Sequence, residues 1–148
     1  MNEKYMIVAI EEAKKALSLN EVPVGAVIVY QDKIIARAYN KKEKLNCATK
    51  HAEILAIEKA SKKIGNWRLS DCDLYVTLEP CPMCASAIVQ SRIKNVYAGI
   101  TSNDIKNAKI INEIFNNNYN NKPVNYSCGY FISDIETLLK KFFSKRRK

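Results

Sequence analysis

The chain has a single histidine, His51, and thirty residues later a Cys81-x-x-Cys84 pair. Imidazole nitrogen and thiolate sulfur are ligands that zinc prefers, and a catalytic zinc site takes three protein ligands and leaves a fourth position open. Each cluster begins a segment with helical patterning, over 51–63 and 81–91, so the fold must bring the two segment starts together. A helix N-terminus also favours the thiolate form of cysteine. The sequence therefore predicts that these three residues hold one zinc ion.

Two further residues complete the pattern. Glu53 lies two residues after the histidine, and Pro80 directly precedes the first cysteine. At that spacing Glu53 diverges from His51 on a helix, so it flanks the metal in the position of a proton carrier. The combination His-x-Glu … Pro-Cys-x-x-Cys is the signature of zinc-dependent nucleobase deaminases. An alternative stays open, because Cys47 lies four residues before His51 and could close a structural Cys₃His site.

Composition narrows the setting of the chain. Five cysteines, an odd number, in a sequence without an export signal favour reduced thiols or metal ligands over a disulfide framework. No apolar run is long enough to span a bilayer, so we expect a cytoplasmic protein with no membrane partner. The net charge of +9 is compatible with a nucleic-acid partner, although a composition rich in Lys and Asn explains it equally well.

Periodicity predicts alternating helices and strands. A first helix is expected over 3–19, and two strands, Gly25–Tyr30 and Lys33–Tyr39, are joined by a tight turn at Gln31 and Asp32. Further strands are expected over 73–78, 95–100 and 124–131, with helical character over 104–115. Ser133 and Glu136 form a capping-box pattern that would open a C-terminal helix. These segments predict one α/β domain over 1–148, with helices on both faces of a sheet.

Several strings extend the match beyond the metal ligands: EVPVGAV at 21–27, Asn40, HAE at 51–53, LYVTLEPC at 74–81, Cys84-Ala85, SRI at 91–93 and a C-terminal Phe-Phe-x-x-Arg-Arg. With these strings the chain resembles the bacterial tRNA-specific adenosine deaminases of the cytidine deaminase-like superfamily over nearly its whole length. The resemblance implies a three-layer fold, in which a central mixed five-stranded sheet is sandwiched by helices. It also implies a homodimer that converts adenosine to inosine at the wobble position of a tRNA anticodon loop.

The same resemblance implies roles for individual residues. Glu53 would carry protons between water, the adenine ring and the departing amine. Asn40 would hydrogen-bond the flipped base, Val24 would form part of the apolar wall beneath it, and backbone groups around Glu79 and Pro80 would hold the reacting centre. The tail residues implied as RNA contacts are Phe142, Phe143, Arg146 and Arg147; six of the last nine residues of the chain are basic.

Two segments depart from the bacterial pattern. Residues 47–51 read Cys-Ala-Thr-Lys-His, which resembles the catalytic subunit of the eukaryotic wobble deaminase, an enzyme that works with a partner chain. After Gly99 the family has a glycine-rich loop at the RNA-facing rim, whereas residues 100–109 contain no glycine. Two other functions therefore stay open. One is deamination of a free base or nucleoside of the guanine or cytosine type; the other is a non-catalytic, zinc-stabilised RNA-binding subunit.

Overall fold

A mixed five-stranded sheet forms the centre of the molecule, with the strand order β2-β1-β3-β4-β5. The structure is a computed structural model that describes residues 1–118, 120 and 122–146, except for the side chain of Arg146. The strands are β1 Gly25–Tyr30, β2 Lys33–Tyr39, β3 Cys72–Leu78, β4 Asn95–Ile100 and β5 Asn125–Cys128. The helices are α1 Glu3–Ser18, α2 Ala52–Ile64, α3 Pro82–Gln90, α4 Ile105–Asn116 and α5 Ile132–Arg146. In the described part of the chain, no helix combines the length and the apolar composition needed to cross a membrane.

The connections fix the direction of each strand. Gln31 and Asp32 have φ values of 50° and 60°, as a two-residue type I′ hairpin turn requires, and β1 pairs with β2 in antiparallel fashion. β1 is also antiparallel to β3, whereas β3, β4 and β5 run parallel. Parallel neighbours need crossover connections, which α3 and α4 supply. The carboxyl ends of β3 and β4 therefore meet at one edge of the sheet, where the chain enters α3 and α4.

Alternate residues of β1 face opposite layers. Ala26 and Ile28 belong to a core shared with α2, α3 and α4, whereas Val27 and Val29 belong to a second core shared with α1 and α5. A strand that is buried on both faces lies between two helical layers. The structure therefore confirms the three-layer α/β architecture and the mixed five-stranded sheet.

The region after β4 differs in detail from the sequence expectations. β5 ends at Cys128, three residues earlier than expected, because Gly129 at φ 113° turns the chain out of the sheet and donates its N–H to the Gly99 carbonyl. Phe131, at φ 56°, then begins the approach to α5. The helix starts at Ile132, so Ser133 lies inside the first turn and the expected capping-box boundary is wrong.

Candidate active site

Two helix N-termini bring the proposed metal ligands together. His51 is the N-cap of α2 and Cys81 the N-cap of α3, both with extended backbone, and Cys84 follows in the first turn of α3. The His51 Nδ1 atom lies 3.7 Å from the Cys81 Sγ and 3.5 Å from the Cys84 Sγ. A zinc ion with Zn–N and Zn–S bonds in tetrahedral geometry separates such atoms by about 3.6 Å. The three side chains therefore fit a metal of that kind.

The two thiols of this group differ in protonation. The pKa of Cys81 is lowered to about 4, chiefly because the Cys84 thiol donates a hydrogen bond to it, with a further contribution from His51. The pKa of Cys84 is raised because it is that donor and because it is buried. A thiolate beside a thiol holds one proton between two sulfur atoms. A soft divalent cation bound there would replace that proton.

Cys47 lies outside this group. The potential metal ligands within 4.8 Å of one another are His51, Cys81 and Cys84, among the residues that the structure describes. The Cys47 thiol instead contacts the Thr49 hydroxyl at 3.2 Å, and this hydrogen bond lowers its pKa. The arrangement thus offers three ligands, as an open catalytic site does, and gives no support to a closed Cys₃His site.

Glu53 is a buried carboxylic acid beside the metal ligands. It is the second residue of α2, and its side chain is 4% exposed. Burial raises the pKa of this carboxyl to about 7, because an ionised carboxylate loses its hydration there. A carboxyl with a pKa near neutrality can both accept and release a proton at physiological pH.

A cavity of about 190 Å³ opens next to Glu53 and the metal ligands. Pockets for drug-sized ligands run from about 300 to 1,000 Å³, so this cavity suits a single ring system. Its lining combines apolar residues, Val22, Val24, Ala52 and Leu78, with polar ones, Asn40, Lys42, His51, Glu53, Glu79 and Cys81.

The rim of the cavity that carries Asn40 is held by a residue that the sequence reasoning did not single out. Asn40 is buried directly after β2, and its N–H donates to the Val24 carbonyl at 3.1 Å. Glu21, 1% exposed, accepts hydrogen bonds from the backbone N–H groups of Glu43 at 3.0 Å and Lys44 at 2.7 Å. This carboxylate fixes the loop between β2 and the metal ligand of α2. Its sequence signals are its place just before a strand of apolar residues and at the start of the string EVPVGAV.

On the opposite rim, Glu79 and Pro80 bind the segment that follows β4. One carboxylate oxygen of Glu79, Oε2, accepts hydrogen bonds from the Ser102 N–H at 3.1 Å, the Ser102 hydroxyl at 2.7 Å and the Asn107 amide at 3.2 Å. The Pro80 carbonyl also accepts from the Asn107 amide, at 3.3 Å. Glu79 lines the cavity, but this oxygen is committed to the neighbouring segment.

The C-terminal pair of phenylalanines is divided between the core and the surface. Phe142 is 3% exposed, so it cannot stack on an RNA base, and that expectation is wrong for this residue. Phe143 is 51% exposed and stays a candidate. Arg147 and the side chain of Arg146 lie outside the described residues.

Comparison with known proteins identifies the family. A family model described as MafB19-like deaminase matches residues 1–147. A tRNA-specific adenosine deaminase of Rickettsia bellii is 46% identical over 144 residues, covering 94% of this chain and 97% of its own length. The chain belongs to the tRNA-specific adenosine deaminases. A Streptococcus pyogenes relative of this family is 38% identical and covers 97% of the chain and 91% of its own length.

Coverage of other relatives of this deaminase family is lower. The Bacillus subtilis tRNA-specific adenosine deaminase is 54% identical over 98 residues, and the match spans 66% of this chain and 61% of that protein. The chain spans 8% of the chloroplastic tRNA(adenine(34)) deaminase of Arabidopsis thaliana.

Solved structures agree with the sequence relatives. A structure from a study of A-to-I editing by tRNA:A34 deaminases at the wobble position superposes with a TM-score of 0.85 at 35% identity, covering 93% of this chain and all of that chain. A Bacillus subtilis guanine deaminase has a TM-score of 0.68 at 31% identity, covering 100% and 96% of the two chains. Deaminases of different bases thus share this fold.

Proposed function

We propose that this protein hydrolytically deaminates adenosine to inosine at the wobble position of a tRNA anticodon loop. The observation that carries the proposal is the meeting of His51, Cys81 and Cys84 with the buried carboxyl of Glu53 at one wall of a cavity sized for a single base. Membership of the adenosine deaminase family supports adenine as that base and tRNA as its source.

We infer one zinc ion per chain, held by His51, Cys81 and Cys84. The donor set supports this choice, since one imidazole and two sulfur ligands at tetrahedral spacing suit zinc. When bound, zinc activates water for attack at neutral pH.

The protein's own groups then orient the base and move protons. Glu53 accepts a proton from the attacking water and passes it to the adenine ring nitrogen as the water oxygen bonds to C6. It then accepts the proton of the resulting hydroxyl and delivers it to the amine, whose bond to C6 breaks to release ammonia. Asn40 hydrogen-bonds the base edge, and Val24 packs against its face. Backbone groups of Glu79 and Pro80 border the reacting carbon.

The substrate base has to leave its stack before it can enter the cavity. Unstacking costs least in a single-stranded loop, which favours an anticodon loop over a duplex. We propose that Phe143, Arg146 and Arg147 at the C-terminus contact the RNA flanking that base. Since tRNA is the substrate, we place the enzyme in the cytoplasm.

We also propose that the enzyme acts as a homodimer. The resemblance to the bacterial tRNA-specific adenosine deaminases, which implies two identical subunits, supports this proposal. Light scattering at micromolar concentration should then give twice the 16.8 kDa of one chain. A molar mass of one chain would contradict the dimer and leave the chemistry of the site unaffected.

The experiment that tests the function incubates zinc-loaded protein with an anticodon stem-loop that carries adenosine at the wobble position. Inosine is scored, with free adenosine, cytidine and guanine as parallel substrates. We expect inosine from the stem-loop. Glu53→Ala should keep its zinc and its fold while kcat falls by about 10²- to 10⁴-fold, because the proton carrier is gone.

Glu113→Ala is the matched control, since Glu113 is an exposed glutamate on α4. It should retain the wild-type rate. Near-normal turnover by Glu53→Ala would contradict the role of Glu53. Ammonia release from guanine or cytidine, without inosine in the stem-loop, would overturn the proposed substrate and favour the free-base alternative.

A further inference from the structure

Residues 101–104 connect β4 to α4. Asp104 is the N-cap of α4, and its carboxylate accepts from the N–H groups of Lys106 at 2.9 Å and Asn107 at 3.4 Å. This cap fixes the first turn of the helix. It also directs the Asn107 side chain back towards the residues that precede the metal ligand Cys81.

The Asn107 amide makes contacts to three groups at once. Its Nδ2 atom lies 3.2 Å from the Glu79 Oε2, 3.3 Å from the Pro80 carbonyl oxygen and 3.5 Å from the Ser102 hydroxyl. Glu79 is 6% exposed, so its carboxylate depends on these donors and on Ser102 in place of water. An asparagine amide is neutral and offers two N–H donors, which suits a site with two acceptors.

The residues held in this way border the reaction. Glu79 lines the cavity, and the next residue but one, Cys81, is a proposed metal ligand and the N-cap of α3. The peptide between them is anchored from one side by the N–H of Glu79, which donates to the Ile100 carbonyl at 2.8 Å. From the other side it is anchored by Asn107. A shift at either anchor would move one wall of the cavity together with a ligand.

We propose that Asn107 is a positioning residue for the deamination, acting together with Ser102 through the hydrogen bonds that both residues make to Glu79. The proposal rests on the proposed function. Asn107 acts through the Glu79–Pro80 peptide and makes no contact with the substrate itself. Its effect belongs to the geometry of the cavity wall, where a misplacement of about 1 Å can cost about 10²-fold in rate.

The test compares Asn107→Asp with Asn112→Asp. Asn112 is an exposed asparagine on the same helix, so the control carries the same charge change away from Glu79 and Pro80. At neutral pH, the carboxylate introduced by Asn107→Asp would face the Glu79 carboxylate and the Pro80 carbonyl, both acceptors. We expect kcat/KM for the stem-loop to fall by about 10- to 100-fold in Asn107→Asp, with zinc content unchanged, and to change less than about twofold in Asn112→Asp.

The hydrogen bonds to Glu79 can also be followed by a measurement that does not depend on turnover. The Ser102 amide hydrogen, which is bonded to Glu79, should exchange with solvent at least about tenfold faster in Asn107→Asp than in the wild type or in Asn112→Asp. Combining Glu79→Gln with Asn107→Asp exchanges the carboxylate and amide partners. This pair should recover at least about threefold of the lost kcat/KM, which a general loss of stability would not allow.

The outcomes separate this proposal from the proposed function. A wild-type protein that is inactive on the stem-loop but active on guanine overturns the function, and the Asn107 comparison is then made with guanine. Equal rates and equal Ser102 exchange in Asn107→Asp and Asn112→Asp overturn the role of Asn107. The introduced charge of Asn107→Asp could instead cause loss of zinc or of the fold, with no recovery in the exchanged pair. The uncharged variant Asn107→Ala then decides: wild-type behaviour of Asn107→Ala overturns the role of Asn107.

Discussion

The five cysteines of this chain show how position decides the chemistry of one residue type. Cys81 has its pKa lowered to about 4 by the neighbouring Cys84 thiol and by His51. Cys72, fully buried at the start of β3, has its pKa raised to about 11 by desolvation. Cys47, on the loop before α2, has a pKa that is lowered by Thr49. The thiols therefore differ in metal binding and in ionisation.

We predict that Cys47→Ser keeps the metal, whereas Cys84→Ser loses it. The Cys84 Sγ lies 3.5 Å from the His51 Nδ1 and belongs to the ligand group, whereas the Cys47 thiol contacts the Thr49 hydroxyl. Zinc content per chain, measured after dialysis, checks this. We expect about one zinc ion per chain in Cys47→Ser. In Cys84→Ser the dissociation constant for zinc should rise by at least about 10- to 100-fold. Loss of zinc from Cys47→Ser would instead support the closed Cys₃His structural site.

We predict that Cys72 makes the fold sensitive to alkaline pH. Its pKa is higher in the folded protein than in the unfolded chain, so the folded state keeps the thiol proton longer. The stabilisation is complete below about pH 9 and is lost as pH rises through about 11, and the total loss amounts to about 2–3 kcal/mol. Urea unfolding of the wild type and of Cys72→Ala should show a stability difference that changes over that interval. A difference in unfolding free energy that stays constant over that interval would contradict this prediction.

At the scale of elements, two buried carboxylates hold the two rims of the cavity. Glu21 accepts from two backbone N–H groups of the loop before α2, and Glu79 accepts from Ser102 and Asn107 after β4. Neither glutamate belongs to the ligand group. Through these hydrogen bonds, each glutamate restrains a loop that borders the cavity.

We predict that Glu21→Gln loosens the Asn40 rim. One of the two backbone donors at Glu43 and Lys44 would then face an amide NH₂ in a site that is 1% exposed. Leaving one buried donor unsatisfied costs about 1–3 kcal/mol. Urea unfolding should show that loss, together with a raised KM for the stem-loop. Glu113→Gln, on the exposed face of α4, should change neither quantity.

The sequence predicted elements whose signals are local. The turn at Gln31 and Asp32 depends on residues next to one another, and the structure confirms it. The ligand spacing likewise identified a group that the structure brings together. The fold class followed from the alternation of such elements.

What the sequence could not predict depends on contacts between distant segments. Ser102 and Asn107 lie 23 and 28 residues from Glu79, and no periodicity links them. The start of α5 was misplaced for a similar reason, because the chain leaves β5 through Gly129 and its bond to Gly99. Either phenylalanine of the tail could have belonged to the core on sequence alone, and the packing of α5 decides that it is Phe142.

For the molecule as a whole, the net charge of +9 is a property that acts at long range. A cationic protein attracts RNA before specific contacts form, and each neutralised phosphate releases counterions. Lys140, Lys141 and Lys145 of α5 lie within three residues of Phe143 in the chain, and Phe143 is exposed. They form the region where we expect part of this attraction to be concentrated.

We predict that replacing Arg146 and Arg147 by glutamine weakens stem-loop binding and flattens its dependence on salt. Removing two phosphate contacts should lower the slope of log K against log salt by about 1–2. The control replaces Lys62 and Lys63, in the last turn of α2, which is about 17 Å along the helix from His51. Equal slopes for both double variants at every salt concentration would refute a specific role for the tail.

His51 and Cys81 begin different helices and lie 30 residues apart in the chain. A metal bound to both would act as a cross-link between the hairpin half of the sheet, β1 and β2 with α2, and the parallel half that follows. A covalent link closing a loop of this length removes about 3–4 kcal/mol of chain entropy from the unfolded state. A reactive ion placed at such a junction also holds the two halves together. Withdrawing such an ion with a chelator should therefore lower the melting temperature of the whole domain as well as stop the reaction, so that one ion would link the persistence of the fold to its chemistry.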